Sequence, residues 1–119
     1  MKLSLIAEAD IPLTTSYDPA IKTLVKNDCT IITKALMDAG YQPIPYYGRI
    51  LCYQDPQFED VPTIKYIASA IRGDDKNMPH MFVKLVTEKF AEDGREAEVK
   101  LPTNLAPHAH VFGITISKP

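Results

Sequence analysis

The sequence predicts an α+β fold in which one long helix, over about 19–39, packs across an antiparallel sheet of four to six strands, with a second short helix near 62–72. Three observations lead there. One long amphipathic segment is bounded by a helix start and a helix stop. Several short runs have strand-like alternation or β-rich composition. Ten prolines are spaced along the chain rather than clustered, and because proline is expelled from helix interiors and central strands, the stretches between them are the candidate elements. The length of 119 residues fits a single compact domain, with 45% hydrophobic and 24% charged residues as in an ordinary globule.

At the N-terminus Leu3, Leu5 and Ala7 alternate with Lys2, Ser4 and Glu8, which predicts a short half-buried strand. The apolar stretch before Glu8 is shorter than the roughly 7–15 residues of a secretory leader's core. A polar connection over 10–17 follows. Asp18-Pro19 then supplies an N-cap acid and a proline at the first helical position, and Gly40 supplies the stop. On a helical wheel Ile21, Leu24, Val25, Ile31, Ile32, Ala35, Leu36 and Ala39 gather into an arc about 160° wide, opposite Lys22, Lys26, Thr30, Thr33, Lys34 and Met37. Asp28 falls near the middle of the apolar arc, with Cys29 at its edge. A carboxylate turned into a core costs several kcal/mol unless paired or hydrogen-bonded, so Asp28 is a candidate buried acid needing a partner or a task. Arg49 and Arg72 are the partners considered, beside a simple position at the rim of the face.

Residues 49–53 read as a strand and Gln54-Asp55-Pro56 as its exit turn. Tyr41, Tyr46, Tyr47 and Tyr53 surround the stiff Pro43-Ile44-Pro45 and make a candidate interaction surface, since tyrosine joins a large apolar face to a polar tip. Residues 62–91 suit either period. The β-rich run 81–87 and the Asp93-Gly94 pair favour a two-residue hairpin in which Glu92 faces Arg95, Lys89 faces Glu98, Phe90 faces Ala97 and Val86 faces Leu101. A helix stopped by Gly94 is the rival. Residues 109–117 form the last strand, and Val111-Phe112, apolar on both faces, favours an interior position.

Thirteen Lys and Arg against fifteen Asp and Glu leave a net charge of -2 with no run of like charge, which argues against nucleic acid as the main partner. No apolar run approaches the ~18 residues of a membrane helix, so no membrane partner is expected. Cys29 and Cys52 lack the spacing of a zinc or disulfide framework and read as reduced thiols in a cytoplasmic protein.

His108-Ala109-His110 places two imidazoles on one face of an extended segment, where His80 or Asp28 could complete a divalent-metal site, the one cofactor the sequence admits. An open fourth position would then support metal-assisted hydrolysis. A cysteine nucleophile, an anion site after Thr14-Thr15-Ser16 and a cation site at Asp74-Asp75 each lack the neighbouring groups such chemistry requires. The expected function is therefore a small non-enzymatic interaction or assembly module, binding a protein partner or a second copy of itself through the tyrosine-rich surface or a sheet edge. The alternative is a metal-binding protein or metal-dependent hydrolase centred on His108 and His110.

Overall fold

A computed structural model describes residues 19–43, 51–53, 62–71, 75–101 and 109–119. The expected first strand at Leu3, Leu5 and Ala7 lies outside them. In order, the elements are helix α1 (Pro19–Asp38), strands β1 (Gln42–Pro43), β2 (Leu51–Tyr53) and β3 (Thr63–Ile71), helix α2 (Met78–Glu92), and strands β4 (Ala97–Lys100) and β5 (Ala109–Ser117).

The class is α+β, as expected, but two segments exchange roles. Residues 62–72 do not contain a helix: β3 occupies Thr63–Ile71 and pairs along its whole length with β5, from Thr63 opposite Ser117 to Ile71 opposite Ala109. Extended geometry is decided by the partner strand, since it puts Ile64, Tyr66, Ala68 and Ala70 all on the buried side. Conversely, the β-rich run 81–87 lies inside α2, and the hairpin through Asp93-Gly94 does not form. Met78, Phe82, Val86 and Phe90 recur every four residues and are the buried side of α2, so the helical period wins over local β propensity.

The sheet order is β1-β3-β5-β4, all antiparallel, with β2 also paired to β3. Five strands enter the sheet, but among the described residues only β3, β5 and β4 exceed three residues, so three strands make up most of it. β5 lies between β3 and β4, as its doubly apolar sequence suggested.

Both helices cover one face of the sheet. Ile64, Tyr66, Ala68 and Ala70 of β3 lie beside Ile116, Ile114, Phe112 and His110 of β5, and this surface joins Val25, Cys29, Ile32 and Leu36 of α1 and Phe82, Val86 and Phe90 of α2 in one core. Thr33, placed on the polar side of the wheel, is nearly buried, and its Oγ1 donates to the Cys29 carbonyl at 2.6 Å. The other face carries Lys65, Ile67, Ser69, Ile71, Val111, Thr115, Glu98 and Lys100, with no helix over it among the described residues. Val111 is 50% exposed there.

The two helices end alike. Gly40 and Gly94 have φ of +99° and +72°, a backbone region where Cβ is penalised. In α1 Gly40 N–H donates to the Met37 carbonyl and Tyr41 N–H to Leu36; in α2 Gly94 N–H donates to Ala91 and Arg95 N–H to Phe90. This paired pattern folds the residue after the glycine back against the last turn. Tyr41 and Arg95 are consequently turned inward, and both are buried.

Candidate functional site

The first candidate is the buried charge cluster under the end of α2. Asp28 is 1% exposed on the inner side of α1, and Arg95 is 5% exposed. Arg95 Nη1 donates to Asp28 Oδ1 at 2.6 Å and Nη2 to Oδ2 at 2.9 Å, a two-pronged match of guanidinium to carboxylate. Tyr66 Oη donates to Asp28 Oδ2 at 2.6 Å from β3, while Arg95 Nε donates to the Ser117 carbonyl at 2.8 Å at the end of β5. The guanidinium carbon stands 5.2 Å from the centre of the Phe90 ring. Burial by itself would lower the Arg95 pKa, but the hydrogen bonds and charge of Asp28, with smaller contributions from Tyr66 and Asp93, outweigh it and hold the group above the ordinary arginine value.

Arg95 also borders an open groove of about 430 Å³ together with Thr63, Thr87, Glu96, Glu98 and Ser117. All three of its guanidinium nitrogens are directed to Asp28 and Ser117, and the other charged residues lining the groove are the carboxylates Glu96 and Glu98. The cluster therefore works as a tie between α1, β3, β5 and the α2–β4 turn. The partners considered for Asp28, Arg49 and Arg72, lie outside the described residues, and the observed partner is Arg95. Reading Arg95 as the cross-strand neighbour of Glu92 concealed it. The signal that could have found it is its place immediately after Gly94, where a helix stop turns the next side chain inward.

The remaining sequence candidates do not converge. Tyr41, expected on an interaction surface, is 2% exposed because the turn at Gly40 directs it into the core. Its Oη lies 2.9 Å from His110 Nδ1, and its ring packs edge-on against Phe112 and Phe82. Tyr46 and Tyr47 lie outside the described residues; Tyr53 belongs to β2, opposite Lys65, with its side chain outside them. His110 is buried on the inner face of β5, His80 is exposed in the first turn of α2, and His108 lies outside the described residues. Both Asp28 oxygens are engaged by Arg95 and Tyr66. Among the described residues no group of three His, Cys, Asp or Glu side chains is arranged to hold a metal. Cys29 is fully buried on the inner side of α1.

The second candidate is the outer edge of the sheet. Among the described residues β4 pairs with β5 alone. Its inward neighbour fixes which backbone groups point outward: Ser117 N–H donates to the Glu96 carbonyl at 2.8 Å, and Glu96 N–H donates to Ser117 Oγ at 2.8 Å. Alternation along a strand then turns Glu98 and Lys100 toward β5 and leaves the N–H and C=O of Ala97, Val99 and Leu101 facing away from it. Leu101 is 37% exposed at the strand's end.

Comparison of the chain with protein-family models, curated proteins and solved structures finds no match. Among the described residues no helix is long and apolar enough to cross a membrane.

Proposed function

We propose that the chain is a non-enzymatic interaction or assembly module whose contact is the outer edge of its sheet. The observation that carries this reading is the row of outward backbone groups at Ala97 and Val99 of β4 and at Leu101 just past its end, a ready template for an added strand. The exposed face of the sheet supports it, because Val111 and Ile71 leave apolar surface there and no helix lies over it among the described residues. A photo-crosslinking amino acid in place of Leu101, with the same group in place of the exposed helical Lys84 as control, tests the reading in a native extract. Protein adducts concentrated at position 101 support the edge contact. Equal yields at both positions, or none at 101, count against it. The tyrosine-rich surface loses Tyr41 to the core and is not carried forward.

A further inference from the structure

Resting on the edge-contact reading above, we infer that the partner is a second copy of this chain, with β4 pairing antiparallel to the partner's β4 so that Val99 stands opposite the partner's Val99. Two independent constraints select this register. The first is backbone polarity. Only Ala97, Val99 and Leu101 present N–H and C=O outward, so these must form the close hydrogen-bonded pairs of an antiparallel ladder. Centring the two-fold axis on Val99 lets Val99 exchange bonds with its mate and Ala97 with the partner's Leu101. The ribbon then holds about six backbone hydrogen bonds.

The second constraint is charge. In that register Glu98 stands opposite the partner's Lys100, twice by symmetry, in the pairs whose side chains approach most closely. The neighbouring symmetric registers fail this requirement. An axis on Glu98 gives two Glu96–Lys100 pairs but sets the Glu98 carboxylate against itself between them, an axis on Lys100 sets that ammonium against itself, and an axis on Ala97 sets Glu96 against the partner's Glu98 twice. Charged side chains at an edge ordinarily block a foreign strand. Here, of the four registers centred on Ala97, Glu98, Val99 and Lys100, the alternation Glu96-Ala97-Glu98-Val99-Lys100-Leu101 leaves the Val99-centred one alone without a like-charge pair. The apolar Ala97, Val99 and Leu101 fall on the helix side of the joined sheet, and the charged pairs on its open side. The contact is isologous and closes at two copies.

A ribbon this short supports weak association, with a dissociation constant on the order of 10–1000 µM. Sedimentation velocity of the full chain from about 5 µM to about 1 mM measures it. E98K and K100E each place like charges opposite one another twice, and each is expected to weaken association about tenfold or more. Both side chains are exposed, so the fold is preserved; coincident thermal melts check this. An equimolar mixture of E98K and K100E restores opposite charges and associates again, as does the E98K/K100E double variant. A wild-type chain that stays monomeric to 1 mM overturns the pairing, as does a dimer unmoved by either single reversal, or a mixture that fails to recover. The two readings fail separately. Adducts from position 101 to another protein, with a monomeric wild type, overturn self-pairing and leave the edge contact standing; absence of adducts at 101 overturns the edge contact itself.

Discussion

Asp28 and Arg95 show how one buried charge obliges another. Each would be costly alone, and together with Tyr66 and the Ser117 carbonyl they leave no guanidinium nitrogen without an acceptor. Asp28→Ala should therefore cost about 3–5 kcal/mol in denaturant unfolding, because it strands a buried guanidinium. Replacing both residues, as Asp28→Leu with Arg95→Met, should recover most of that loss; a double variant as unstable as the single one would assign the cluster a role beyond mutual neutralisation. The pH dependence follows from the raised Arg95 pKa. A base held above its unfolded value contributes fully below that value and loses the contribution only as pH rises through the folded one. The window lies above the ordinary arginine range, so Arg95 adds no pH dependence to stability near neutrality.

At the scale of elements, the two glycine stops differ in what surrounds them. Nothing lies within 4 Å of a Cβ built on Gly94, whereas one on Gly40 would collide with Met78 Cε. Gly94→Ala should cost about 1 kcal/mol, the price of the backbone conformation alone, and Gly40→Ala a similar amount, since Met78 Cε is the free end of a flexible side chain that can turn aside; a negligible loss at either position in thermal or chemical unfolding would contradict the positive φ of these stops. These stops also explain what was legible in the sequence. The run 19–39, closed by Asp18-Pro19 and Gly40, could be read because its period extends over five turns, and the same wheel placed Asp28 among apolar neighbours. Residues 109–117 could be read because β5 is apolar and short on turn formers. Residues 62–91 could not, because Ile64, Tyr66, Ala68 and Ala70 against Ile64, Ile67, Ala68 and Ile71 satisfy both periods. There the decision lies in β5, whose paired residues stand 38 to 54 positions away in the chain. Arg95 was missed for a related reason: its partner Asp28 is 67 positions distant, and only the turn after α2 brings them together.

For the whole molecule, the sheet order concentrates protection at the centre. β3 has neighbours on both sides, in β5 on one and β1 and β2 on the other, and β5 lies between β3 and β4. Native-state hydrogen exchange should show the slowest amides in β3 and β5, with faster exchange at Ala97, Val99 and Leu101 in dilute solution. Slowest exchange in α1 instead would mean that the helices, and not the β3–β5 ladder, form the last structure to open. Protection rising at those three amides with concentration would report strand addition directly.

The inward turn of Arg95 has a consequence for proteolysis. Asp93, Gly94 and Glu96 are exposed around the 95–96 peptide bond, yet its N–H is held by Ser117 Oγ and the side chain a trypsin-like protease must grip is fastened to Asp28 and Ser117. Cleavage there has to wait until α1 and the end of β5 release the guanidinium. The bond is thus a latent cut site whose nicking rate counts how often the clasp opens.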